Sequence, residues 1–177
     1  LCMSKATRFT SICPTFLDAE KTWAKFQDQL PSTHPIAADM VDIESVHQNF
    51  DGITYAKGAS VLRQLVAWVG QDEFLEGCRE YFRAHAWGNA ELKDFLAALE
   101  QASGRDLGGW VAEWLETTGV NSLGLDLQID ADGVITGAAV VQTAPADHPT
   151  LRRHRVAIGG YDMVDGRLER GQRVELD

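Results

Sequence analysis

The hydrophobic pattern of this chain changes its period once along its 177 residues, close to Gly119. Before that point, apolar residues recur every three to four positions, as they do on one face of a helix. After it, they alternate with polar residues, as in strands that bury one face. A single change of period separates helices from strands along the chain and therefore predicts the α+β class.

The region before Gly119 is predicted to form a series of helices joined by short links. Asp42 is expected to cap a short helix, Asn89 to begin a longer one and Gly104 to end it. Residues 31–40 carry two prolines and no periodicity, which indicates a loop. The predicted helical segments are 14–30, 42–48, 55–69, 72–86, 88–104 and 105–119. In segment 72–86 the side chains expected to face the core are Phe74, Leu75, Cys78, Tyr81 and Phe82.

The region after Gly119 is predicted to form two β-hairpins. The first turns at Ala131-Asp132-Gly133 and the second at Asp165-Gly166, each between segments of alternating pattern. We assign residues 1–122 to a helical region and 123–177 to a partial antiparallel β-sandwich. About 55 residues are few for a sandwich, so we expect the chain to be a fragment of a longer protein.

Composition excludes several classes of function. The net charge of −10 argues against nucleic acid as a partner, because phosphate binding requires clustered Lys and Arg. No apolar run approaches the 18 or so residues of a membrane-spanning helix. Cys2, Cys13 and Cys78 form no CxxC pair and leave an odd count, which is typical of a reducing compartment, and we expect a cytoplasmic protein.

Few residues offer catalytic chemistry by pattern alone. The five histidines are scattered and form no H-E-x-x-H motif, so no metal site is predicted within the chain. No G-x-S-x-G motif is present either. Tyr55 stands just inside a predicted helix, and its spacing to Ala59, Leu62 and Val66 by itself favours a structural role.

Four segments in register change that interpretation. The sequence reads "THPI" at 33–36, "NFDGITYAKGASVLRQL" at 49–65, "HAWGNAELKDFLAALEQASGRDL" at 85–107 and "WVAEWLETTGV" at 110–120. In this order and at these intervals, they resemble the aminopeptidase N (alanyl aminopeptidase) family of zinc gluzincin metallopeptidases. The resemblance covers about residues 5–122 and implies the helical half of a thermolysin-like catalytic domain, downstream of the zinc-ligand motif.

The resemblance implies a function for the parent protein and a role for one residue. The full-length protein would be a zinc-dependent aminopeptidase that removes N-terminal residues from peptides, its partners being peptide substrates. Tyr55 would donate a hydrogen bond to the oxyanion of the tetrahedral intermediate. Phe50, Asp51, Lys57 and Gly58 match the surrounding scaffold, and His34 is expected to order its loop.

The family motifs that hold the zinc, supply the general base and bind the substrate amine belong upstream of Leu1 and are not in this sequence. The chain alone is therefore expected to be inactive, and to self-associate through an apolar face that has lost its packing partner. The alternative is a non-catalytic interaction module of helices and strands, in which Tyr55 serves packing only.

Overall fold

The computed structural model describes residues 7–9 and 11–177, so Cys2 lies outside the described residues. Helices precede two antiparallel hairpins, which confirms the predicted α+β class. None of the described helices is both long enough and apolar enough to cross a membrane. The α-helices are α1 (Ile12–Phe16), α2 (Thr22–Gln27), α3 (Ile43–Gln48), α4 (Gly58–Val69), α5 (Gln71–Ala84), α6 (Leu92–Ser103) and α7 (Gly108–Trp114). Two π-helical turns occur at Leu17–Lys21 and Ile53–Lys57, and the strands are β1 (Ser122–Ile129), β2 (Ile135–Thr143), β3 (Val156–Val164) and β4 (Arg167–Leu176).

Asp42 and Gly104 mark helix ends as predicted, whereas the helix predicted over 105–119 is shorter: α7 covers Gly108–Trp114 and ends before Gly119. Asp42 caps α3 by accepting a 2.7 Å hydrogen bond from Ser45 N. Gly104 ends α6 in the left-handed conformation, at φ +67°. The predicted start of α6 at Asn89 is wrong by two residues, since its cap is Glu91, whose N–H donates to the Asp94 carboxylate at 2.8 Å.

The chain forms two compact units. The first comprises the described residues up to Ser60 together with Val111–Arg152. Its apolar core includes Ala24, Ile53, Ala56 and Leu115, all more than 90% buried. The segment 17–27 packs against the π-helical turn Ile53–Lys57. Gly52 makes this approach possible, because a Cβ there would lie only 2.9 Å from Trp23 Cδ2.

A buried carboxylate joins three segments of the first unit. Asp28, 2% exposed, accepts hydrogen bonds from Thr33 Oγ1 at 2.8 Å and from the Gly119 N–H at 2.9 Å. Its other oxygen lies 2.8 Å from Lys57 Nζ, an ion pair whose alignment falls outside that of a good hydrogen bond. Burial lowers the pKa of Lys57, and the neighbouring Asp28 opposes that shift. Gly119 has φ +84°, and a Cβ there would lie 2.5 Å from His148 Cβ, so glycine fits this approach best.

A buried guanidinium fastens the connection between α7 and β1. Arg152, 4% exposed, donates to the carbonyl oxygens of Glu113 and Thr118 at 2.9 Å each. It also donates to Thr117 Oγ1 at 2.8 Å and to Asn121 Oδ1, and it stacks over the Trp114 ring at 5.6 Å. One planar cation thus satisfies oxygens along most of residues 113–121.

The second unit comprises Val61–Trp110 and Arg153–Asp177. Its buried residues are Val61, Leu65, Val69, Gly77, Leu99, Leu107 and Trp110. Helices α5 and α6 pack closely, with Gly77 against Leu99 and the rings of Phe74 and Tyr81 against Phe95. The predicted inward positions of Leu75 and Phe82 are wrong: these side chains are 38% and 69% exposed. Each lies one residue, or about 100° of helix rotation, beyond Phe74 and Tyr81, and so points away from α6.

Both predicted hairpins are present as separate two-stranded antiparallel sheets. Strands β1 and β2, in the first unit, pair from Ser122 opposite Thr143 to Ile129 opposite Ile135, with an irregularity at Gln128/Ile129. Strands β3 and β4, in the second unit, pair from Val156 opposite Leu176 to Val164 opposite Arg167. Their two-residue turn has positive φ at both Asp165 and Gly166, as a type I′ turn requires.

The close contact between α5 and α6 gives a first prediction. A Cβ at residue 77 would lie 2.7 Å from Leu99 Cδ2 and 3.0 Å from Leu99 Cα. Gly77→Ala should therefore lower the free energy of unfolding by about 1–3 kcal/mol through overpacking. The control is Gly124→Ala in β1, where a Cβ meets nothing within 4 Å. Urea unfolding of the chain measures both, and equal stability of the two variants would contradict the packing argument.

The buried ion pair gives a second prediction. Lys57→Met should lower the free energy of unfolding by about 3–5 kcal/mol, because the Asp28 carboxylate loses its counter-charge inside the protein. Asp28→Asn added to Lys57→Met should recover part of that loss, since it removes the uncompensated charge. Lys93→Met is the control: its ion pair with Glu91 is 76% and 71% exposed, and its loss should cost less than about 1 kcal/mol. If urea unfolding shows that the free-energy changes of the two single substitutions simply add in the double variant, the two charges do not interact.

Candidate functional site

Tyr55 is the middle residue of the π-helical turn Ile53–Lys57. Ile53 and Ala56 are buried, whereas the tyrosine is 51% exposed. Its ring meets Phe50 edge to face, with 4.8 Å between the ring centroids. No other described residue forms a hydrogen bond with its hydroxyl, which leaves the phenol O–H able to donate to an external acceptor.

The turn that carries Tyr55 begins at an aspartate cap. Asp51 Oδ1 accepts hydrogen bonds from the N–H groups of Ile53 at 2.9 Å and Thr54 at 3.1 Å. The Asp51 carbonyl oxygen accepts from the Tyr55 N–H, also at 3.1 Å. The first N–H groups of the turn are thus satisfied within the residues that precede it.

His34 connects this cap to the preceding loop. His34 Nε2 lies 3.2 Å from Asp51 Oδ2, and His34 Nδ1 lies 2.8 Å from the Pro35 carbonyl oxygen. The Pro35 carbonyl oxygen can only accept, so His34 Nδ1 donates to it, while Nε2 faces the Asp51 carboxyl group. The structure therefore places His34 on Asp51, where it orders the loop, and sequence reasoning from motifs alone had not linked these two residues.

The far end of the turn is also anchored. The Lys57 side chain, 11% exposed, turns inward to the Asp28 carboxylate. At the neighbouring Gly58, an added Cβ would lie 3.9 Å from Ile36 Cγ2, an ordinary van der Waals distance, so the packing there does not require glycine. Tyr55 thus stands on a short turn that is bonded at both ends, with only its own side chain directed to solvent.

The described residues contain no group of three or more His, Cys, Asp or Glu side chains arranged to hold a metal ion. Two surface depressions lie elsewhere in the described part of the chain, and Tyr55 lines neither. One is formed by Ile43, Glu44, His47 and Gln48 on α3. The other is formed mainly by the first turns of α5, and its lining residues are Asp72, Glu73, Leu75, Glu76, Arg79 and Ala102.

Comparison with known proteins relates this arrangement to one group of peptidases. Aminopeptidase N of Streptomyces lividans is 58% identical over 170 residues, which cover 92% of this chain and 20% of that protein. Probable aminopeptidase 2 of Sulfurisphaera tokodaii is 38% identical over 105 residues, 59% of this chain and 13% of that protein. The tricorn protease-interacting factor F2 of Thermoplasma volcanium is 38% identical over 104 residues, with the same coverages. The chain thus spans a fifth or less of the length of these curated relatives.

The family match covers both the Tyr55 turn and the helices of the second unit. Residues 2–114, well over half of the chain, match the peptidase family M1 domain. This result confirms the resemblance to the aminopeptidase N family that the four sequence segments indicated. The chain belongs to peptidase family M1.

Proposed function

We propose that this chain is part of a zinc-dependent aminopeptidase that removes N-terminal residues from peptides, and that Tyr55 is its catalytic contribution. Family membership and relatives named as aminopeptidases support the peptidase activity. The observation that carries the role of Tyr55 is a half-exposed phenol without a partner among the described residues, on a turn bonded at both ends.

The chemistry of a phenol suits this role. Attack on a peptide carbonyl turns its oxygen into an oxyanion, and a donor that is already in place stabilises that charge without reorganising. The Tyr55 O–H would donate such a hydrogen bond while the tetrahedral intermediate exists. Because the bond strengthens as negative charge develops, it lowers the barrier more than it tightens binding of the substrate.

Zinc is proposed for the parent protein only. The described residues contain no group of three or more side chains that fits a metal ion. The metal ligands, the general base and the group that binds the substrate amine would come from other parts of the longer protein, as the family pattern implies.

We further propose a cytoplasmic location and self-association of the isolated chain. Cys13 and Cys78 are free thiols, which suits a reducing compartment. Several large apolar side chains are more than 60% exposed, which favours association with another apolar surface. They include Phe9, Phe26, Phe50, Phe82 and Trp87.

The role of Tyr55 is tested by Tyr55→Phe in the full-length protein. We expect kcat for an aminoacyl-arylamide to fall about 10²–10³-fold, with a small change in KM, because the variant loses one oxyanion donor and little else. Thermal unfolding should hardly change, since the hydroxyl has no partner among the described residues.

Tyr161→Phe is the matched control. Tyr161 lies in β3 and is 59% exposed, close to the 51% of Tyr55, so its substitution removes a comparable hydroxyl without the proposed role. Its kcat should equal that of the unmodified enzyme. An unchanged kcat for Tyr55→Phe would remove the catalytic assignment.

The division of the active site between this chain and the rest of the protein is tested with two preparations. The 177-residue chain should not hydrolyse an aminoacyl-arylamide and should not retain zinc after dialysis. The full-length protein should hydrolyse the substrate and retain zinc. Metal analysis and a fluorimetric assay measure this difference, and size-exclusion chromatography of the same samples measures self-association. Hydrolysis by the isolated chain would show that its own residues suffice.

A further inference from the structure

We infer that Asp51 is a positioning residue for the Tyr55 hydroxyl, and that His34 holds Asp51 in place. This inference rests on the proposed function. The contacts form a continuous chain. His34 contacts the Pro35 carbonyl oxygen and Asp51 Oδ2, and Asp51 Oδ1 accepts hydrogen bonds from the first N–H groups of the turn. Both side chains are largely buried, at 15% and 20% exposure.

The geometry of the turn explains why its start determines where the phenol points. Tyr55 follows Asp51 by four residues, and the Tyr55 N–H bonds to the Asp51 carbonyl oxygen. A rotation of the turn is amplified at the hydroxyl, which stands at the end of a long side chain. A displacement of about 1 Å at a reacting centre can cost about 10²-fold in rate, so a few degrees at the cap become significant.

Asp42 shows what an ordinary cap looks like in the same unit. Its Oδ1 accepts from Ser45 N at 2.7 Å, and Ser45 Oγ accepts from the Asp42 N–H at 3.1 Å, all within one exposed turn. Asp51 forms the same kind of cap, but its second oxygen contacts a buried ring 17 residues earlier in the chain. The stability of a helix start does not require this extra bond, which instead fixes the carboxylate against rotation.

The role of the cap can be separated from the role of the His34 contact by substitution. Serine is a good cap, but with a single oxygen it cannot bond the turn and His34 together. Asparagine keeps both bonds, because its Oδ1 can accept from the turn while its Nδ2 donates to the neutral imidazole. Asp51→Ser should therefore lower kcat of the full-length enzyme about 10–100-fold at nearly constant KM, and Asp51→Asn should retain most of the activity.

A double-mutant cycle with Tyr55→Phe tests whether the effect passes through the hydroxyl. If Asp51 acts only by placing that group, Asp51→Ser should cause no further loss of kcat in the Tyr55→Phe enzyme. Asp42→Ser is the matched control and should leave kcat unchanged in both backgrounds. Thermal unfolding of every variant measures its stability separately. If Asp51→Ser does not fold, His34→Ala replaces it, because that substitution removes the contact with Asp51 and leaves the cap intact.

Each outcome distinguishes this inference from the proposed function. If Tyr55→Phe alone leaves kcat unchanged, the proposed function fails first. If Tyr55→Phe lowers kcat but Asp51→Ser does not, or lowers it by the same factor in both backgrounds, the positioning role is overturned while the proposed function stands. An Asp51→Asn enzyme as slow as Asp51→Ser would also overturn it, because the bond to His34 would then not be the cause.

Discussion

The arrangement of the first unit depends on keeping one carboxylate charged in its interior. Removing Asp28 from water is costly, and that cost is offset only while Lys57, Thr33 and the Gly119 N–H all surround it. These partners come from the loop after α2, the end of the Tyr55 turn and the connection after α7. Because a half-satisfied buried charge is costly, the free energy favours the arrangement in which all three segments contact Asp28.

A carboxylate anchors each end of the turn that carries Tyr55. Asp51 secures its beginning and Asp28 its end, each through a carboxylate that also contacts a more distant segment. Such double anchoring is what a preorganised donor needs, because a donor that must first find its place loses most of its electrostatic advantage. The edge-to-face contact with Phe50 holds one side of the half-exposed Tyr55 ring, and the hydroxyl is its polar end.

The elements of the fold could be predicted from the sequence because their causes are local. The hydrophobic period, the Asp42 cap and Gly104 act within a few residues, and the helices and strands lie close to where these signals indicated, except that α7 ends at Trp114 rather than at Gly119. The burial of Asp28 could not be predicted, since one of its partners lies 91 residues away. The π-helical turn and the contact between His34 and Asp51 likewise depend on tertiary packing. The proposed role of Tyr55 rests on the family pattern rather than on periodicity.

The guanidinium of Arg152 has a consequence for how the chain matures on the ribosome. The connection at residues 113–121 is synthesised before the residue that fastens it, and at usual elongation rates Arg152 follows Asn121 after about 2–6 s. During that interval the oxygens that Arg152 later binds can bond only to water or to each other, as Thr117 Oγ1 does in donating to the Glu113 carbonyl oxygen. Arg152 can therefore bond to this stretch only after β1 and β2 have been synthesised. The connection between α7 and β1 is fixed late, by a residue that lies outside both elements.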